Sequence, residues 1–262
     1  MRNLMLVVAF DGTGLAGWQR QKGIQTIQGI LEDQLAIMTG QLVSLHGAGR
    51  TDAGVHALGM TANFLTDNER IPSEGFRRGL NSLLPRAIRI LVVEEKEPSF
   101  HARKNAVGKT YFYQLCRGGV CVPTDRLYQW QLETDLDLSA MREALTFIVG
   151  KHDFSSFEGA GSRDRNFTEG KGAVRTIFRA TVNENSGDRS KLTLVVSGDG
   201  FLRHMVRNIV GAAVEVGRGR LTPDQFRGIR DKRDRTLSSP TAPAQGLFLQ
   251  EVYYAKEDLP LL

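Results

Sequence analysis

One carboxylate stands among three glycines in the stretch Gly47-Ala-Gly-Arg-Thr-Asp-Ala-Gly-Val-His-Ala57. Asp52 has Arg50 two residues before it and His56 four after. Gly47, Gly49 and Gly54 let backbone come close to a ligand, so the chemistry on offer is that of one carboxylate on a loop. The plain alternative is a turn in which Thr51 or Asp52 caps the backbone and the glycines supply positive φ.

Three other groupings compete. Gly12-Thr-Gly-Leu-Ala-Gly17 follows an apolar run and matches the dinucleotide fingerprint G-x-G-x-x-G. That site requires a helix that starts inside the glycines and has an apolar face. Trp18-Gln-Arg-Gln-Lys-Gly23 is polar and shows none, so a nicotinamide-dependent oxidoreductase rests on the glycines alone. Tyr111 and Tyr113 share one face of an alternating strand, where core packing is their ordinary use. Arg203 and Arg207 lie four apart, which on a helix presents both on one face.

The elements that must position these residues read as follows. Leu4 to Phe10 is a buried strand. Thr26 caps a helix with Ile27, Ile30, Leu31, Leu35 and Met38 inward, ended by Gly40. Leu42 to Leu45 and Met60 to Leu65 are strands on either side of the Asp52 loop. Ser73 to Leu84 is a helix stopped before Pro85, and Ile88 to Val93 a strand. This is the order β-α-β-β-α-β. It recurs as a strand at Ala106 to Cys116, a helix at Leu138 to Val149, and a strand pair at Val174 to Val182 and Leu192 to Val196. A helix at Phe201 to Val216 and a strand at Leu247 to Tyr254 complete it. A short helix begins at Thr222-Pro-Asp-Gln225, a capping box. Glu158 to Gly172 reads as a mobile loop, either a plain connector or a segment that closes over a bound partner. The expected fold class is therefore α+β, in two halves at residues 1–105 and 106–262.

The 262 residues carry a net charge of +5, with 41% hydrophobic and 24% charged residues. That balance excludes a disordered chain, and basicity suits a polyanion such as nucleic acid. Arg218, Arg220, Arg227, Arg230, Lys232, Arg233 and Arg235 concentrate positive charge near one helix, either for phosphates or as a solvated face. The two cysteines, Cys116 and Cys121, cannot form a zinc site without histidines nearby and read as free and reduced. The apolar run at Leu4 to Phe10 is too short for a membrane span or signal peptide, so a cytoplasmic location is expected.

Gly-Arg-Thr-Asp-Ala-Gly-Val-His-Ala resembles the catalytic loop of the tRNA pseudouridine synthase A family. Asp11-Gly12, Gly17-Trp-Gln-Arg-Gln21, Phe100-His-Ala-Arg103, Lys109-Thr-Tyr-Phe-Tyr113, the helix block from Phe201 to Gly211, Asp-Arg-Thr-Leu at 234–237 and Gly246-Leu-Phe-Leu249 resemble further blocks of it. The resemblance implies two ferredoxin-like halves with a joined antiparallel sheet and a central active-site cleft. It implies Asp52 as nucleophile and Arg207 as the catalytic partner that keeps it ionised. Tyr111 stacks on the uracil, Arg50 helps extrude the base and Leu247 walls the pocket. His56 and Arg203 are taken with them as substrate-binding residues. The implied reaction isomerises uridine at positions 38 to 40 of the tRNA anticodon stem-loop. It needs no metal or cofactor and uses a homodimer, with neither membrane nor DNA as partner. Whether Asp52 attacks C1′ or C6, or acts through a glycal, stays open. A non-catalytic RNA-binding protein is the alternative; it would have no need of Asp52.

Overall fold

Leu4, Leu6, Val8 and Phe10 alternate along Arg2–Phe10 (β1) and are almost wholly buried, so one face of this strand is core. In this computed structural model residues 1–159, 161, 172–237 and 239–260 are described. Most of the loop expected at Glu158 to Gly172 lies outside them.

The chain forms two units, Met1–Val107 with Phe248–Tyr254, and Gly108–Leu247 with Ala255–Leu262. In the first, β1 is followed by the helix Ile27–Thr39 (α1), the two-residue strand His46–Gly47 (β2), and the strand His56–Thr66 (β3). The helix Ser73–Leu83 (α2) and the strand Ile88–Lys96 (β4) complete the series. β1 pairs antiparallel with both β3 and β4, and β2 pairs antiparallel with β3. The order β4-β1-β3-β2 is that of a ferredoxin-like sheet. Ile27, Leu31 and Leu35 of α1 and Phe76 and Leu80 of α2 are fully buried. Each such side chain contributes about 1.5–3 kcal/mol relative to exposure. Phe64 of β3 meets Phe76 edge-on at 5.7 Å. Thr26 accepts from the Gly29 N–H, and Gly40 ends α1 at φ 72°, as their types predicted.

Leu42 to Leu45 is not a strand: pairing is confined to His46↔Asn63 and Gly47↔Ala62. Leu42 is 99% exposed, so its apolar character reflects no burial.

The second unit contains the strands Gly108–Arg117 (β5) and Trp130–Leu132 (β6), the helix Leu138–Thr146 (α3), and the strand Gly150–Asp153 (β7). The long strands Val174–Asn185 (β8) and Asp188–Gly198 (β9) follow, then the helices Met205–Gly217 (α4) and Pro223–Lys232 (α5). β5, β9, β8 and β7 pair antiparallel in that order, while β6 runs parallel to the end of β5. β8 and β9 join through Gly187, at φ 92°. The capping box at Thr222 and Gln225 is formed in both directions.

Cys116 and Cys121 are not free. They form a disulfide with Cα atoms 6.6 Å apart. Gly118, at φ 67°, turns the chain back after β5 and brings them together.

The strand Leu247–Tyr253 (β10) returns to the first unit, where Phe248 and Leu249 pair in parallel with His56 and Ala57. Since β1 occupies one edge of β3, β2 and β10 divide the other edge between them. Both units are α+β with mostly antiparallel sheets, as the element order predicted. Among the described residues no helix is long and apolar enough to cross a membrane.

Candidate active site

The Asp52 loop runs from β2 into β3. The Val55 N–H donates to the Asp52 carbonyl at 3.2 Å, closing a turn in which Gly54 takes φ 77°. Asp52 is half-buried at its start and Arg50 is exposed. The carboxylate is thus accessible on a backbone of fixed shape.

That shape is imposed by the segment after β1. The Trp18 N–H donates to the Thr51 carbonyl at 3.2 Å, and the Gly54 N–H to the Leu15 carbonyl at 3.3 Å. A Cβ on Gly17 would stand 2.4 Å from the Thr51 carbonyl oxygen, and one on Gly12 2.2 Å from that of Val55. The Trp18 ring is buried against Gly47, where a Cβ would come within 2.5 Å of it. The glycines at 12 and 17 therefore let two loops meet backbone to backbone. No helix begins among them, since α1 starts only at Ile27, so the dinucleotide fingerprint lacks its structural context. The Gly17 and Trp18 carbonyls accept from the Ile27 and Gln28 N–H groups, which ties the whole arrangement to the start of α1.

His56 lies beneath the loop and is 1% exposed, so its ring offers no surface to a substrate. Its Nδ1 accepts from the Gly12 N–H at 3.0 Å, and Asp11 Oδ1 lies 3.1 Å from the same atom. These contacts tie the buried ring to the segment after β1, so we read it as a brace for the loop. Phe248 of β10 stacks on the ring at 4.6 Å.

In the second unit, Tyr111 pairs with Val196 and Tyr113 with Leu194, which puts both rings on one face as expected. Both are buried. Tyr111 meets Phe201 edge-on at 5.1 Å. Tyr113 donates its hydroxyl proton to the Pro243 carbonyl at 2.7 Å, and its ring fills the space a Cβ on Gly246 would need. Burial pushes the Tyr113 hydroxyl pKa well above the usual phenol range, so it stays protonated. Leu247, next in the chain, is buried.

Arg203 and Arg207 do not share a helix face. α4 starts at Met205, and His204 before it adopts φ 62°, a left-handed conformation that breaks the helical path between the two arginines. Arg203 is exposed ahead of the helix. Arg207, inside it, donates from Nε to the Ala242 carbonyl at 2.8 Å, while the Ala242 N–H donates to the Arg207 carbonyl at 3.1 Å.

Asn208 had no place in the sequence reading. It is fully buried, donates to the Phe157 carbonyl at 2.7 Å and accepts from Arg235 and Thr241. Its signal was an amide set among Met205, Val206, Ile209 and Val210, because buried amides need partners. The arginines around α5 are largely paired: Arg218 and Arg220 with Glu215, Arg227 with Asp224, Arg230 with Asp231. A cavity of about 400 Å³ in this unit, lined by Lys151, His152, Asp153, Arg230, Asp231 and Arg233, includes none of the expected site residues.

Fold and loop together define an α+β protein that presents one aspartate on a backbone-braced loop. A family model described as tRNA pseudouridine synthase matches residues 6–103 and 144–255. The tRNA pseudouridine synthase A 1 of Desulfotalea psychrophila is 52% identical over 254 residues, covering 97% of this chain and 100% of that protein. The tRNA pseudouridine synthase A of Geobacter sulfurreducens is 44% identical over 254 residues, with 97% and 100% covered. That of Maridesulfovibrio salexigens is 41% identical over 257 residues, with 98% and 92% covered. The chain belongs to the tRNA pseudouridine synthase family.

Proposed function

We propose that this protein isomerises uridine to pseudouridine in tRNA, at positions 38 to 40 of the anticodon stem-loop, with Asp52 as the nucleophile. The observation that carries the reading is the loop itself. Asp52 is the accessible carboxylate of a segment whose backbone is fixed by Gly12, Gly17 and Gly54. A rigid loop supplies the positioning that a nucleophile requires.

The reaction breaks the N1–C1′ bond, turns the base and joins C5 to C1′, releasing the C5 proton and giving one to N1. No atom or electron is gained. Before it starts, the target base must leave its stack, at a cost of about a few kcal/mol. Arg50, exposed two residues from Asp52, is assigned to that step. Arg207 is assigned to keeping the carboxylate ionised, Tyr111 and Leu247 to the faces of the uracil, and Arg203 to the RNA backbone. His56 holds the loop. The active form is read as a homodimer working in the cytoplasm.

Tritium release from tRNA labelled at C5 of uridine tests the reaction. Release from anticodon stem-loops with uridine at 38 to 40, and loss when cytidine replaces it, is expected. Binding without release would favour an RNA-binding protein instead.

A further inference from the structure

Arg50 is the exposed end of a chain of side chains that leads back into α1. Its Nε donates to Gln19 Oε1 at 3.0 Å. Gln19 Nε2 donates to Gln28 Oε1 at 2.6 Å. Gln28 Nε2 donates to Glu32 Oε1 at 3.0 Å and to the Leu45 carbonyl at 2.9 Å. Glu32 also accepts from the Leu45 N–H at 3.1 Å and forms an ion pair with Arg20 at 2.6 Å.

The direction of this chain is fixed by backbone atoms. Gln28 Oε1 accepts from the Arg20 N–H at 2.9 Å, while its Nε2 faces the Leu45 carbonyl. A flipped amide would set oxygen against oxygen at one end and N–H against N–H at the other. With Gln28 so oriented, Gln19 must present Nε2 to it and its oxygen to Arg50. Every link runs donor to acceptor from the guanidinium to the Glu32 carboxylate, and such chains polarise each bond in the same sense.

We propose that Gln19 is a positioning residue for Arg50, aiming the guanidinium beside Asp52 so that it enters the RNA stem as the base leaves. The proposal rests on the extrusion role assigned to Arg50 above. Gln19 suits the task because it is half-buried and anchored at its far end, whereas Arg50 is exposed and without such a tether would sample many rotamers.

The test is single-turnover pseudouridine formation by Gln19→Met, Arg50→Ala and the double variant. Two stem-loops are compared, one with the target uridine paired and one with that pair replaced by a mismatch. Loss of one hydrogen bond to a charged group should slow Gln19→Met about tenfold on the paired stem-loop. The deficit should shrink to less than about threefold on the mismatch, where extrusion is cheaper. Affinity for the stem-loop should stay within about twofold, and the double variant should be no slower than Arg50→Ala. Gln19→Asn, which falls one methylene short, should behave like Gln19→Met and carries the test if the methionine variant fails to melt cooperatively. Equal slowing on both stem-loops, or multiplied defects in the double variant, would overturn the proposal. An impaired Arg50→Ala beside an unimpaired Gln19 variant overturns it alone. A normal rate in Arg50→Ala overturns the extrusion role as well.

Discussion

The carbonyl oxygen of Thr51 stands 2.4 Å from where a Cβ on Gly17 would be, and Gly17 holds φ 82°. Nothing at position 17 but glycine meets both conditions without moving the residue before Asp52. Gly17→Ala should therefore cost about 1–3 kcal/mol of stability. It should also slow turnover more than its melting temperature explains. Thermal melting and single-turnover rate on the same preparation check this; an alanine variant with unchanged rate would show that the contact does not set the loop.

Asp52→Asn keeps size and hydrogen bonding but removes the charge and the oxygen proposed as the nucleophile. Fold and tRNA affinity should survive and product should fall to background. Circular dichroism, a tRNA-binding curve and product yield settle the matter together. Pseudouridine from a folded, binding-competent Asp52→Asn protein would defeat the proposed mechanism.

Arg207→Lys retains the charge and loses the Nε donor that Ala242 accepts. We expect a loss of turnover of about tenfold, since a hydrogen bond from a charged group contributes about 1.5–3 kcal/mol. Asp52→Asn should remain the more severe change. An unchanged rate in Arg207→Lys would mean that charge alone suffices at this position.

His101 stacks on His46 at 5.1 Å. Burial, then the neighbouring His46 and Lys104, holds its pKa below the ordinary value of 6.5. In the unfolded chain the ring takes up a proton at about pH 6.5, whereas in the fold it does so only at lower pH. The unfolded state binds more protons in that window, so stability falls as pH drops through and below 6.5. His101→Gln should flatten this acid slope while leaving stability at pH 8 nearly unchanged. Denaturant midpoints between pH 5 and 8 measure it, and an unaltered slope would assign the dependence to other groups.

What was legible in the sequence was mostly local. Thr26, Gly40 and the Thr222-Gln225 box mark helix ends because capping is decided within a few residues. The Asp52 loop stood out by composition. The absence of a helix after Gly12 and Gly17 was legible and set the dinucleotide site aside, but the reason for these glycines was not, because it lies across the fold in the carbonyls of Thr51 and Val55. Arg203 was misplaced because a left-handed His204 leaves no periodic trace. β6 and β7 are 3 and 4 residues long, too short for alternation to register. The relay through Gln19 and Gln28 had no signal beyond a polar run.

The pairing of Phe248 and Leu249 with His56 and Ala57 has a consequence for biosynthesis. The strand that leaves the Asp52 loop gains its last neighbour from a segment made almost two hundred residues later. At roughly 5–20 residues per second, the ribosome takes on the order of ten seconds to deliver it. Throughout that interval the nascent first unit exposes the N-terminal part of one strand edge and the face of His56 that Phe248 will cover. The loop that bears Asp52 is thus finished only once Phe248 and Leu249 have been made, so a product stalled or clipped before them would hold the aspartate without its final support.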